Sequence, residues 1–508
     1  MSPMFLKKSI EAVRQEADQT GLRKSLGPVQ LVLLGIGCIV GAGVYVMTGT
    51  AAANYAGPAV VLSFMLAGIA CALVGLCYAE LSSVLPVSGA SYTYAYAAVG
   101  EVFAWVLGWM LMFEFGLAGA ALAVGFSGYL LSLLGDLGVF LPEWMVTPTL
   151  QSQMVDGQSR LVQTGSVNLL ACFSLLIVAA ILSRGVQHSS LVNTVLVFIK
   201  VGVLIAFVLV GVGHVSPENW TPFIPENQGG FHFGAEGVIR AASILFFAYL
   251  GFEAVATAAS ESKHPARDVP VGILGALTIA TMLYAAVALV MTGLVPYTEL
   301  NVADPVAVAV SVIGEPVWIL IIKAGALTGL GSVLLVNTYA QSRVAFAMSR
   351  DGLLPRVFSA LHAKFSTPVK GTFIVAAISG VAAATLPISL LGDLVSLGTA
   401  IVFATVAISV IWLRNSHPEL ERPFRVPFGG VRIGGYWVGI IPALALVACI
   451  AMSAPVAIDI GMKSLRGDWV PAAIVVVYLV LGGVIYARYG RRHSKLRQAA
   501  MGTGTPAP

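Results

Sequence analysis

The chain has 508 residues, of which 58% are hydrophobic and only 10% are charged. Soluble proteins carry about 25% charged residues, so this chain cannot cover a water-facing surface and is predicted to be an integral membrane protein. The formal net charge of +4 says little, because the placement of charges matters more than their sum in such a protein. Apolar runs of about 20 residues recur throughout, which excludes a single anchor on a soluble domain.

The first residues do not resemble a signal peptide. Lys7, Lys8, Glu11 and Arg14 precede the first long apolar run, and no small-residue cleavage site follows an apolar core. We therefore expect residues 1–28 to form a cytosolic segment, in part an interfacial helix.

A window of about 19 residues predicts an all-α fold with about twelve membrane spans. In chain order, spans 1 to 12 cover 29–52, 58–80, 102–134, 167–182, 191–213, 236–259, 271–295, 317–348, 371–386, 391–413, 435–458 and 469–489. The loops are too short for independent domains, so the functional site is expected inside the membrane.

Lys and Arg fall almost entirely in alternate connections between these spans. The other set of connections holds only Arg160, Lys463 and Arg466. By the positive-inside rule both termini are predicted to be cytosolic, which requires an even number of spans. The expected location is the plasma (inner) membrane.

Span 1 is unusual because Gly41 and Gly43 lie near its middle. Glycine weakens a helix interior by about 0.5 to 1 kcal/mol relative to alanine, and an opened backbone is tolerated in a membrane only where it faces protein or a water-filled cavity. The segment therefore predicts a small-molecule site at the membrane midplane. The spacing of Gly37 and Gly41 also fits the close packing of two helices, and by itself it favours that alternative.

Span 6 has a matching interruption, with Gly251 followed by the carboxylate of Glu253. Spans 1 and 6 correspond if the chain contains two inverted repeats of five spans, and paired interrupted helices indicate a transporter site. The predicted units are the repeats 29–213 and 236–414, spans 11 and 12 at 433–489, and a cytosolic tail at 490–508.

Ionisable residues inside spans are functional candidates, because each costs about 2.5 to 3.5 kcal/mol on insertion scales. Lys200 in span 5 either holds a permanent structural contact or carries a proton. Glu114 in span 3 binds a cationic group, carries a proton or caps a helix end. Glu253 is expected to accept freed backbone N–H groups. Two basic residues near external helix ends are expected to snorkel to the interface: Arg240 and Lys323. Three carboxylates at cytosolic ends are expected to pair structurally: Glu80, Glu101 and Glu261.

Patterns for other chemistry are absent from the sequence. There is no phosphate-binding loop and no His-Glu-x-x-His zinc motif, and the seven histidines lie in loops or at span ends. Five cysteines lie in apolar segments without disulfide or metal spacing. We therefore expect no cofactor, no metal, no nucleic acid partner and no enzymatic activity.

Several stretches together resemble the amino acid, polyamine and organocation (APC) transporter superfamily, and within it the cationic amino acid transporter (CAT) family. The stretches fall in order along nearly the whole chain, at residues 24–43, 77–82, 86–94, 247–253, 267–273, 347–355 and 422–427. The resemblance implies a LeuT-like fold with broken helices 1 and 6.

The resemblance also implies roles for the two interrupted helices. The N–H groups around Gly41, Ala42 and Gly43 of span 1 would receive the α-carboxylate of an amino acid. Ile39 and Val40, which precede them, are expected to belong to the same substrate-binding site. The span 6 carbonyls that would accept the α-amino group are those near Phe247, Ala248 and Leu250, and the ring of Phe247 would be the gate. Gly37 is expected to serve helix packing.

Side chains on other spans complete the implied site. The ammonium of Lys200 would take the place of a sodium ion, bridging spans 1, 5 and 8 for proton coupling, with Thr328 and Ser332 as the polar residues that receive it. Glu114 fits a basic substrate side chain, directly or through water. The face of span 8 that would tune the choice of side chain lies around Val336 and Asn337, and Asn337 is the candidate substrate-binding residue on it.

The sequence thus predicts a proton-coupled amino acid permease, a secondary active symporter working by alternating access on cationic and/or small neutral L-amino acids. The alternatives are an amino acid exchanger of the same fold and a non-transporting amino acid sensor. The expected partners are an amino acid, protons and the lipid bilayer; a small single-span accessory subunit and a homodimer stay open.

Overall fold

The structure is a computed structural model that describes residues 24–85, 90–155, 158–185 and 190–500. The predicted interfacial helix at the N-terminus, residues 86–89 of one family stretch and residues 501–508 of the predicted tail lie outside these ranges. A backbone in lipid must satisfy its own hydrogen bonds, and the apolar segments do so by forming helices.

The first half of the chain contains seven α-helices within the described ranges. They are α1 (Pro28–Ile39), α2 (Thr48–Ala51), α3 (Val60–Val84), α4 (Ala90–Ala98), α5 (Glu101–Asp136), α6 (Leu169–Ser183) and α7 (Ser190–Gly211). Two π-helical turns, Gly43–Met47 and Ala52–Ala56, flank α2. Helical geometry therefore continues from Gly43 to Ala56.

The second half contains eleven further helices within the described ranges. They are α8 (Gly234–Leu245), α9 (Glu253–Thr257), α10 (Pro265–Leu294), α11 (Pro305–Ser311), α12 (Pro316–Arg350), α13 (Val369–Thr385), α14 (Ile388–Ser416), α15 (Ile440–Leu465), α16 (Val470–Ile485), α17 (Arg491–His493) and α18 (Lys495–Ala500).

Nine helical stretches in the described part of the chain are long and apolar enough to cross a membrane. Three shorter apolar helices, α1, α6 and α13, accompany them. Every predicted span falls on one of these helices, and the stretch Gly43–Val84 contains the end of span 1 and all of span 2. The chain is therefore a multi-pass membrane protein, whereas the number of twelve crossings stays a prediction.

Two β-hairpins occupy loops for which the sequence indicated no structure. In the first, β1 (Leu150–Val155) pairs antiparallel with β2 (Gln158–Gln163). In the second, β3 (Gly430–Ile433) pairs with β4 (Tyr436–Gly439). The second turn is made by Gly434 and Gly435 at φ of 58° and 86°. Positive φ at both turn positions is what a two-residue hairpin requires, so the Gly-Gly pair was a usable signal.

The interior is organised around α5, which packs along α12 and α14, while α10 packs along α3 and α1. Burial separates the central helices from the outer ones. The most apolar window of Gly234–Glu261, which contains α8 and α9, is 78% buried inside the protein, whereas that of Val470–Ala499 is only 11% buried. The interrupted helix α8–α9 is thus central, and the last span faces lipid.

The expectation that Arg240 snorkels to the interface is wrong. Its side chain is fully buried, and its guanidinium lies 2.8 Å from Asp393 of α14 and 3.1 Å from Asp459 of α15. Lys323 is also buried and pairs with Asp136 at 2.6 Å. The partner carboxylates come from distant helices, so they are invisible in the local sequence.

Candidate functional site

The first interruption lies between α1 and the π-helical turn that begins at Gly43. α1 ends at Ile39, and Val40 has extended backbone with ψ of 98°. Helical geometry resumes at Ala42, whose ψ is −27°. The first N–H groups of a helix have no carbonyl of the preceding turn to bind. The N–H groups from Gly41 onward therefore lack acceptors within the helix and carry a partial positive charge.

The second interruption lies between α8 and α9. A 3₁₀ turn over Phe246–Tyr249 is followed by Leu250, where ψ is 133°, and by Gly251, which has a φ of 115°. α9 begins at Glu253, whose carboxylate accepts a hydrogen bond of 2.9 Å from the N–H of Gly251. This φ is favourable for glycine alone, so Gly251 lets the chain leave and re-enter helical geometry within a few residues.

The two interruptions lie against each other. A Cβ atom added to Gly251 would be 2.7 Å from the carbonyl oxygen of Cys38, and one added to Gly43 would collide with Ala248. The backbones can approach this closely only because both positions lack a side chain. The predicted carboxylate-binding segment and the predicted carbonyl segment are thus brought together.

We expect Gly43→Ala to lower the substrate uptake rate of proteoliposomes by about tenfold, because the added methyl forces the two interruptions apart, and overpacking of this kind costs about 1 to 3 kcal/mol. Gly461→Ala is the matched control, since a Cβ there meets no atom within 4 Å. Unchanged uptake by Gly43→Ala would contradict the close approach at this position.

Tyr284 of α10 bridges the two interruptions, and sequence reasoning missed it. Its hydroxyl lies 2.8 Å from the carbonyl oxygen of Ile39 and 3.3 Å from that of Ala248, and the residue is fully buried. One hydroxyl proton cannot satisfy both acceptors fully, so these carbonyls keep capacity for another donor. The available signal was a tyrosine in an apolar span, because a buried phenol needs a partner.

Lys200 of α7 is 1% exposed and reaches the first interruption. Its ammonium donates hydrogen bonds to the carbonyl oxygens of Gly37 and, at 3.2 Å, Val40. A Cβ added to Gly329 of α12 would lie 3.4 Å from the Cβ of Lys200. The lysine thus lies among the helices of spans 1, 5 and 8, and Gly37 contributes its carbonyl oxygen.

The hydroxyls of Thr328 and Ser332 form hydrogen bonds within their own helix and not with Lys200. The hydroxyl of Thr328 donates to the carbonyl oxygen of Ala324 at 2.9 Å, and the residue is exposed. The hydroxyl of Ser332 donates to the carbonyl oxygen of Gly329 at 2.8 Å. Both hydroxyls bond within α12, as Ser and Thr commonly do on a helix.

Glu114 of α5 is a buried carboxylate that the hydroxyl of Thr399 approaches as a donor. It is 1% exposed, and neither of its oxygens accepts a hydrogen bond of ordinary geometry within the described residues. A Cβ added to Gly398 of α14 would lie 3.6 Å from its Cβ, so α5 and α14 pack closely at this level. The buried hydroxyl of Thr399 lies near this carboxylate, but the two do not form a hydrogen bond of ordinary geometry. An unsatisfied buried carboxylate is costly, so this position is suited to receive a cationic or protonated group.

Three further predicted residues lie next to Glu114 or at the second interruption. Asn337 of α12 is 7% exposed and donates from Nδ2 to the carbonyl oxygen of Phe115 at 2.6 Å, which ties α12 to the turn next to Glu114. Phe247 and Ala248 are 5% and 2% exposed. These two residues are therefore closed off from solvent, whereas Leu250 and Gly251 of the second interruption are half-buried.

Comparison with known proteins identifies relatives along the whole length. A family model described as "Amino acid permease" matches residues 26–485. The methylthioribose transporter of Bacillus subtilis (strain 168) is 40% identical over 98% of this chain and 100% of its own length. The branched-chain amino acid permease BcaP of the same organism is 38% identical over 97% and 99% of the two chains. The vacuolar cationic amino acid transporter 4 of Arabidopsis thaliana is 36% identical over 78% of this chain and 64% of its own.

Proposed function

The chain belongs to the amino acid permease family, and on that premise we propose that it is a secondary active amino acid permease that works by alternating access and couples import to protons. One observation carries the proposal: two interrupted helices meet at Gly43–Ala248 and Gly251–Cys38 within reach of one buried lysine. The resemblance to the APC superfamily stated from the sequence is confirmed by the family match.

Recognition uses backbone groups that every amino acid can engage. The N–H groups of Gly41, Ala42 and Gly43 bind the α-carboxylate at the positive end of the resumed helix. The carbonyls of span 6 near Ala248, one of which already lies 3.3 Å from the Tyr284 hydroxyl, accept from the α-ammonium. These contacts involve no substrate side chain, so they define the substrate class rather than its member.

Coupling uses the contact of Lys200 with α1. A charged ammonium binds the carbonyls of Gly37 and Val40 more strongly than a neutral amine, because charge-assisted hydrogen bonds are about twice as strong as neutral ones. Protonation from outside therefore holds the first interruption in the conformation that receives substrate. Loss of the proton toward the cytosol releases α1 and lets the inner gate open.

The proposed fold is the 5+5 inverted repeat, with residues 29–213 and 236–414 as the two halves and both termini in the cytosol. The interruptions in spans 1 and 6 occupy corresponding positions in these halves, which is the arrangement that transporters of this kind use. Transport then proceeds by movement of the interrupted helices against the surrounding ones.

The buried carboxylate of Glu114, which makes no hydrogen bond of ordinary geometry within the described residues, favours a cationic amino acid. We expect Glu114→Gln to weaken the binding of arginine and lysine by about tenfold to a hundredfold and to leave alanine binding nearly unchanged, because only a basic side chain uses the charge. Competition of labelled substrate uptake by each amino acid measures this, with Glu143→Gln of an exposed external turn as the control. An equal loss for arginine and alanine would assign Glu114 a structural role instead.

A second candidate substrate is methylthioribose, because the 40% identity to a transporter of that sugar covers both chains almost completely. This sugar has hydroxyl groups but neither a carboxylate nor an ammonium. A thermal-shift screen separates the two, since a ligand that binds the folded state raises its unfolding temperature. The screen holds the common amino acids, their decarboxylated amines and methylthioribose; stabilisation by amino acids but not by the amines supports the proposal, and stabilisation by methylthioribose alone overturns it.

An exchanger and a sensor are separated by transport assays. An exchanger does not accumulate substrate in vesicles that start empty, whereas a proton symporter does under an inward proton gradient. A sensor binds amino acid in the thermal-shift screen but shows neither exchange with preloaded amino acid nor proton-driven uptake.

A further inference from the structure

The end of the last span carries basic residues at the level of the lipid headgroups. A hydrocarbon core of about 30 Å takes about 20 helical residues, so a span that begins at Val470 leaves the core near Tyr489. Tyr486 and Tyr489 lie at this level, where tyrosine is enriched in membrane proteins. The residues that follow are helical as far as His493.

The inner face of this segment is fixed to the protein. Arg497 donates from Nε to Glu101 at 2.7 Å, and the hydroxyls of Tyr486 and Ser494 also donate to that carboxylate, which is fully buried. The backbone N–H of Lys495 donates to the carbonyl oxygen of Asp351 at 3.1 Å. The predicted structural pairing of Glu101 is thus confirmed, and the segment is held in one orientation at the start of α5.

The outer face of the same segment is basic and unpaired. Four residues on it are exposed, namely Arg488, Arg491, Arg492 and Lys495. No side chain of the four forms an ion pair or a hydrogen bond within the described ranges, in contrast to the buried Arg497. None of the described carboxylates forms an ion pair with these four side chains, so their positive charges are not neutralised within the described part of the protein.

We propose that this outer basic face binds the headgroups of anionic phospholipids in the cytosolic leaflet. The inference rests on the proposed orientation, which puts the C-terminus in the cytosol. Four cations at the headgroup level, beside a span whose apolar window is only 11% buried in protein, match a negatively charged lipid surface in sign and depth. Docking onto Glu101 presents the face toward the bilayer and so preorganises it.

The test measures lipid retention by the full-length protein. Purified protein is exposed to mixed micelles of phosphatidylglycerol and phosphatidylcholine, and bound lipids are quantified by native mass spectrometry. The wild type is expected to retain phosphatidylglycerol preferentially. The triple variant Arg491→Gln/Arg492→Gln/Lys495→Gln is expected to bind it up to about a hundredfold more weakly at low salt, since each cation near an anionic surface contributes substantially. The difference should shrink as salt is added.

The matched control removes the same charge elsewhere. Arg356, Lys364 and Lys370 are exposed basic residues of the loop after α12 and the start of α13, and their replacement by glutamine is expected to leave the preference intact. An equal loss in both triple variants, or full retention in the first, would overturn the proposal. Displacement of the lipid by millimolar inorganic phosphate would also overturn it, because the face would then bind free phosphate. If the variant transports amino acids normally and has lost the lipid preference, the proposed function stands independently of this one.

Discussion

Proteoliposomes that contain the Lys200→Ala variant are expected to show no amino acid accumulation in response to an inward proton gradient. The ammonium of Lys200 is the cation that binds the carbonyls of Gly37 and Val40, and alanine leaves these acceptors of the first interruption without it. Accumulation should fall to the level of vesicles that contain no protein. Amino acid binding in the thermal-shift screen should weaken without vanishing, because the backbone groups that hold the substrate remain.

The control for this variant is Lys323→Ala, which also removes a lysine that is buried in a span. Lys323 pairs with Asp136, whose side chain is 44% exposed and can therefore be solvated when its partner is lost. Proton-driven accumulation by Lys323→Ala should stay within about twofold of the wild type. Accumulation by Lys200→Ala that equals the wild type and still responds to the pH gradient would exclude the proposed coupling.

We expect Arg240→Met to lower the stability of the folded protein more than any of the other single substitutions named above. Arg240 is fully buried between Asp393 and Asp459, and its guanidinium also lies 4.7 Å from the centre of the Tyr55 ring. Removing one partner of a buried ion pair leaves an uncompensated charge and costs about 3 to 5 kcal/mol. The measurement is the unfolding temperature in detergent, together with the yield of monodisperse protein.

A double variant separates the unpaired charge from lost packing. In Arg240→Met/Asp393→Leu the carboxylate left behind by the first change is removed as well, and Asp459 keeps Lys463 at 3.0 Å. Buried ion pairs can often be replaced by apolar residues at little cost, so the double variant should regain most of the lost stability. If the double variant is less stable than Arg240→Met, the ion pair contributes net stability and our explanation is contradicted.

Local sequence was sufficient where a feature depends on one segment. The apolar runs predict the helices, and Gly41, Gly43 and Gly251 predict where two of them leave helical geometry, because glycine is unfavourable in a helix unless the backbone needs it. Buried ionisable residues such as Lys200 and Glu114 were found for the same reason, since each is costly in an apolar run. The structure places these residues on helices that contact each other.

Features that depend on two distant segments could not be predicted in this way. Arg240 and Asp393 are remote in sequence, so the ion pair that keeps this arginine buried has no local pattern. The position of Tyr284 between two carbonyls depends on the packing of α10 against both interrupted helices. Thr328 lies in the expected helix, but its side chain is exposed, and it is the next residue, Gly329, that lies against Lys200. Successive side chains of a helix point about 100° apart, so assigning a residue to a span does not determine whether its side chain faces the site.

Uptake into empty proteoliposomes under an inward proton gradient tests the central claim most directly. We expect labelled amino acid to accumulate above its external concentration, accumulation to stop when a protonophore removes the gradient, and amino acids but not their decarboxylated amines to compete. Uptake that occurs only when the vesicles are preloaded with amino acid, or accumulation that persists with the protonophore present, would contradict proton-coupled import.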